Sequence, residues 1–178
     1  MARPLKKGLD YFPLDVGFFS DKKIKRLRAK YGTDGIAVYL YLLCEIYRNG
    51  YYIEYDEDLI LDVSDELNIS ENATMQIMNY LLSRSLFDNT LAKSVKVLTA
   101  ASVQHRYQEA KKGSKRDIEV DARLWVLKKE ETESFIKMRP VNDFSSINDC
   151  FSEKNLNKSE NNSQSKVKKS KEDESSVV

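Results

Sequence analysis

Histidine and cysteine are nearly missing from this sequence, which has one histidine, His105, and two cysteines, Cys44 and Cys150, in 178 residues. A Cys/His zinc site and most histidine-dependent triads need more than that. The cysteines, one in an apolar run and one in a polar region, resemble neither a disulfide framework nor a metal knuckle. A long hydrophobic stretch is also absent. The longest run, "IAVYLYLLC" from Ile36 to Cys44, is about half the ~20 residues a membrane-spanning helix requires. "MARPLKKG" at the start has basic residues with no apolar segment behind them, so it does not read as a secretory signal. A cytoplasmic protein that does not enter the membrane is expected. Overall charge is lacking too: 29 Lys and Arg stand against 28 Asp and Glu, so only local distribution can point to a partner. No side chain is set up as nucleophile or base. Asp58, Asp62 and Asp65 share a helix face without convergent partners, so no enzyme, metal or cofactor is expected.

Helical segments are plentiful. "SDKKIKRLRAKYG" places Ile24, Leu27 and Tyr31 on one stripe, with Ser20 or Asp21 as cap and Gly32 as terminator. Lys22, Lys23, Lys25, Arg26, Arg28 and Lys30 occupy the other faces. A second helix, capped by Thr33 and apolar almost all round, reads as central and buried. "YYIEY", Tyr51 to Tyr55, suits a short strand. Asp56 caps a helix with Leu59, Ile60, Val63 and Leu67 on one face, and Ser70 caps another reaching about Arg84. "LFD" and "VKVL" read as strands at Leu86–Asp88 and Lys96–Leu98 joined by a polar loop, with Thr99 capping a fifth helix to about Lys112. "DIEVDARLWV" alternates Ile118, Val120, Ala122, Leu124 and Val126 against Glu119, Asp121, Arg123 and Trp125, as a half-exposed strand does.

This order predicts a mainly α fold with a small β-sheet, a winged helix-turn-helix over residues 1–116 whose wing spans Asp88 to Lys96. Residues 117–139 read as an extension of a short strand and a helix. Residues 140–178, rich in Ser, Asn, Lys and Glu, read as a disordered polar tail that cannot bury enough apolar surface to fold. From about Leu9 to Lys112 the chain resembles the N-terminal domain of a family of phage and prophage proteins of Gram-positive bacteria, related to the winged-helix domain of DnaD-type replication initiation proteins. "DYFPLD", "KYGTDGIAVYLYLL" and "VLTAAS" carry the resemblance. It implies a role in DNA replication through DNA binding, self-association or both, with replication proteins such as a helicase loader as partners. The tyrosine and tryptophan motif of a second DnaD-type domain does not occur in these residues, so the DNA binding expected is weak. Ser85 stands where many winged helices have a glycine for a left-handed turn.

On the helix after Ser70, Asn72, Gln76, Asn79 and Ser83 project from one face at spacings of four, three and four. Asn and Gln can make paired hydrogen bonds to adenine, so Asn72, Gln76 and Asn79 are candidate groove readers, with Arg84 at the helix end. Lys22, Lys25 and Arg28 before them, and Lys111 and Lys112 after, are candidate phosphate contacts; Arg106, Lys115 and Arg116 add charge nearby. A solvated polar face would look the same. Glu54 to Glu66 holds seven acids and no base, which opposes phosphate contact there and suits the basic first helix of a second copy. Tyr11, Phe12, Phe18 and Phe19 with the "GYYIEY" tyrosines point to self-association if part of them stays uncovered. The expected function is a weakly selective duplex-DNA-binding module that also forms a homo-oligomer. A protein-interaction adaptor or transcriptional regulator of the same fold is the alternative.

Overall fold

Asp21 starts the first helix by accepting hydrogen bonds from the Lys23 and Ile24 amides at 2.7 and 3.1 Å, and residues Lys22–Asn49 (α1) are helical on both sides of one interruption, at Gly32. In the computed structural model, which describes residues 7–113 and 117–139, the two helices expected from the sequence meet at a kink at Gly32, the residue expected to end the first. There φ is 61° and ψ −141°, a backbone state open to glycine and costly for residues with a Cβ. A new helical run therefore begins after Gly32, as the sequence suggested. Ile24, Leu27, Val38, Leu42, Leu43 and Ile46 run along the buried side of α1.

Strand β1 is short, Ile53–Glu54. Asp56 caps α2, Glu57–Leu67, by accepting from the Leu59 amide. Asn68 ends α2 in the left-handed region at φ 53°, which Asn tolerates better than most residues. Ser70 then caps α3, Glu71–Ser83. Only Asn68, Ile69 and Ser70 separate the two helices, the connection length of a helix-turn-helix. A buried hydrogen bond from Ser64 to Thr74, 3.2 Å, ties the pair.

The expected wing is replaced. Residues Asn89–Ser94 wind into a short helix, α4, capped by Asp88, where a polar loop was expected. Leu86–Asp88 is not a strand, although the Asp88 amide donates to the Thr99 carbonyl. Strand β2, Val97–Leu98, pairs antiparallel with β1, Ile53 opposite Leu98. Helix α5, Ala101–Lys111, has Ala100 at its cap position and no side-chain cap bond. Thr99 does not cap it because its hydroxyl is used inside, donating to the Tyr51 carbonyl at 2.7 Å.

Beyond α5, β3 (Ile118–Asp121) pairs in parallel with β4 (Ile136–Arg139). The intervening chain carries one 3-10 turn, Lys129–Glu131, and is long enough for the crossover that a parallel pair needs. The alternation read across residues 118–126 ends at Asp121. Trp125, assigned there to the solvent side, is buried against Tyr51 at 5.2 Å between ring centres. The described part is mainly helical with two small sheets, an order compatible with a winged helix. The expected tail and the basic residues Lys115 and Arg116 lie outside the described residues.

Candidate nucleic-acid interface

Helix α3 buries Thr74, Ile77, Met78, Tyr80, Leu81 and Leu82, and this inner face fixes what is left outside. Asn72, Gln76, Asn79 and Ser83 are all exposed. The stripe is partly self-ordered, since the Gln76 amide donates to Asn72 Oδ1 at 3.3 Å.

Cations gather at the C-terminal half of this helix. The Arg84 guanidinium lies 5.3 Å from the Tyr80 ring centre and the Lys30 ammonium 4.9 Å from it, so one aromatic ring carries two positive charges. Tyr31 packs edge-on against Tyr80 and donates to the Gln76 carbonyl. Lys23 Nζ donates to the Ser85 carbonyl at 2.6 Å, placing a cation at the negative end of the helix dipole. Ser85 holds φ 52°, the left-handed exit anticipated at this position. Three cations thus border the Gln76, Asn79 and Ser83 side of the stripe.

The predicted basic residues divide. Arg84 belongs to this cluster. Lys22, Lys25 and Arg28 are exposed on the same helical stretch, but Arg28 turns to the other flank and lies over the Phe19 ring at 5.8 Å. Lys23 and Lys30, seven residues apart and therefore on one side of a helix, were not singled out from the sequence, although their spacing was there to read. Lys111 and Lys112 are not brought to α3. Lys111 donates to the Gly8 carbonyl at 3.0 Å and Lys112 pairs with Glu133 at 3.0 Å. Their partners lie 103 and 21 residues away along the chain. The acids of α2 stay outside: Glu57, Asp58, Asp62, Asp65 and Glu66 are exposed. Among the described residues no group of three or more His, Cys, Asp or Glu is arranged to hold a metal ion, and no helix is long and apolar enough to cross a membrane.

Residues 11–103 match the family described as Lin1244/Lin1753-like, N-terminal. The chain belongs to this family. An uncharacterized phage-related protein, Lin1244/Lin1753 of Listeria innocua serovar 6a, is 33% identical over 182 residues, an alignment covering 100% of this chain and 58% of the relative. The chain therefore spans little more than half the length of that relative. No solved structure matches it. The family match includes α1 to β2 and the start of α5, so the stripe on α3 and the cations around Tyr80 all lie inside it.

Proposed function

We propose that this chain is a weakly selective, duplex-DNA-binding winged-helix module of a phage or prophage replication protein of the DnaD type. The observation that carries the reading is the exposed Gln76–Asn79–Ser83 stripe bordered by Lys23, Lys30 and Arg84. Amide side chains that can read base edges stand beside charges that can hold phosphates. The match to a phage-related relative supports the setting. The acidic α2 limits the approach, because carboxylates against phosphates cost energy. DNA comes from the α1 side, and Gln76 and Asn79 contribute more than Asn72. Lys22 and Lys25, exposed on the same stretch, can add outer phosphate contacts.

Titration of a duplex at several salt concentrations tests this. If about four phosphates are neutralised, log affinity falls against log salt with a slope of about −3 to −4. Replacing Lys23, Lys30 and Arg84 by Ala weakens binding to all sequences alike. Replacing Gln76 and Asn79 alters selectivity by roughly 1–3 kcal/mol for each pair of base-edge hydrogen bonds removed. Retention that ignores salt contradicts the proposal. Tight binding to one sequence only would instead indicate a transcriptional regulator of the same fold.

A further inference from the structure

Eight large hydrophobic side chains are well exposed among the described residues, and four of them, Tyr11, Leu14, Val16 and Phe19, fall in the segment that leads into α1. Val16 is fully exposed and Tyr11 84% exposed. The segment is held in place all the same. Phe12 stacks on Tyr47 at 4.5 Å, Phe18 is buried against Tyr39, and Asp15 accepts from the Gly17 amide at 2.6 Å. An anchored backbone presenting several bare apolar side chains is the signature of a covered surface. Its border is basic, with Arg28 over Phe19 and Lys22 and Lys25 on the adjoining turns of α1.

The chain also carries a surface of the opposite character. Leu61 of α2 is 43% exposed, with Glu57, Asp58 and Asp65 three or four residues away on the same face and Asp62 beside it. These two surfaces lie on opposite flanks of α1. The N-terminal segment rests on Tyr39 and Tyr47, whereas α2 lies beside Tyr41, whose phenol is raised first by burial and then by Glu45, Glu66 and Asp62. Tyr41 is two residues from Tyr39, roughly 200° round the helix.

We infer that a second copy of this chain docks its α2, with Leu61 among carboxylates, on the Leu14–Val16–Phe19 surface bordered by Lys25 and Arg28. The contact joins unlike surfaces, so each copy offers one of each to further copies. Such an interface does not close on a two-fold axis and produces an open, head-to-tail chain of molecules or a ring. The tyrosines of residues 51–55, which the sequence suggested as part of a dimer contact, are not in it, since Tyr51 is buried and Tyr52 and Tyr55 are half-buried. The inference does not depend on DNA binding.

Sedimentation of the full chain, freed of nucleic acid by nuclease, tests it. The average mass of the wild type is expected to climb past the dimer as concentration rises through the micromolar range, and to fall when salt is added. Val16→Asp removes the apolar surface and Leu61→Lys the acidic one. Both positions are exposed, and unchanged circular dichroism verifies the fold. Each variant alone is expected to be monomeric, with association weakened at least about tenfold, and an equimolar mixture to give a heterodimer and nothing longer. Leu14→Asp and Asp58→Lys repeat the experiment at second positions. A wild type that stays monomeric, a mass that levels off at a dimer, or a mixture that stays monomeric overturns the inference.

Discussion

Ser85 occupies a left-handed conformation, φ 52°, that a side chain with a Cβ adopts only at a cost. Ser85→Gly is expected to stabilise the protein by about 0.5–1 kcal/mol in urea denaturation, part of the relief being offset by greater freedom of the unfolded chain. Lys23→Ala acts at the same point in the opposite sense, because the Ser85 carbonyl is deprived of its 2.6 Å donor. Gln104 is a larger case. Fully buried, it donates to Thr99 Oγ1 at 3.1 Å and to the Leu124 carbonyl at 2.7 Å, and accepts from the Val126 amide at 2.8 Å. Gln104→Leu strands backbone groups in the interior and is expected to cost about 3 kcal/mol, read as a lower urea midpoint. A loss under half of that would mean water replaces the amide.

Helix α1 owes its bend to one residue. Gly32→Ala would meet no neighbour, since nothing lies within 4 Å of its missing Cβ, so any penalty comes from φ and ψ alone. A cost of about 1–3 kcal/mol is expected. Because Lys23 and Lys30 sit on the part of α1 before the bend, the proposed DNA affinity should drop with it while Lys25→Ala on the outer flank leaves stability unchanged. Much of this architecture was legible locally. Asp21, Asp56 and Ser70 cap the helices that follow them, and the Asn72, Gln76, Asn79 and Ser83 stripe is exposed as its spacing predicts. What escaped depended on distance or brevity. The six residues of α4 bury only Ala92, too little for a period to register. The pairing of β3 with β4, the burial of Trp125 and the capture of Lys111 by Gly8 each rest on residues remote in sequence, which no local pattern contains.

Across the molecule, buried tyrosines set a limit in alkali. Burial pushes the Tyr47 and Tyr107 hydroxyls up to about 12 and raises Tyr51 as well. In the unfolded chain the same groups ionise near 10. The folded protein keeps them neutral, donating from Tyr47 to the Val103 carbonyl and from Tyr107 to the Lys7 carbonyl. Their contribution to stability is thus complete below pH about 10 and drains away as the pH climbs toward about 12, where the folded hydroxyls ionise too. Urea midpoints measured across that range should fall steeply, with tyrosinate absorbance rising at the unfolding transition. A flat profile to pH ~11 would mean these hydroxyls titrate freely in the native state.

Gln104 and Gln108, one turn apart on α5, both spend their amides on chain that has little regular structure of its own. Gln104 receives the Val126 amide, Gln108 receives that of Glu133 while donating to the Glu131 carbonyl, and the Tyr51 hydroxyl receives the amide of Asp121 at the end of β3. In deuterated solvent a loop normally trades its protons within moments. Here the protons on Asp121, Val126 and Glu133 can leave only when α5 or the Tyr51 segment parts from them. Their exchange should keep the tempo of the helical core, so that residues drawn as connecting chain behave, on the clock of hydrogen exchange, as interior.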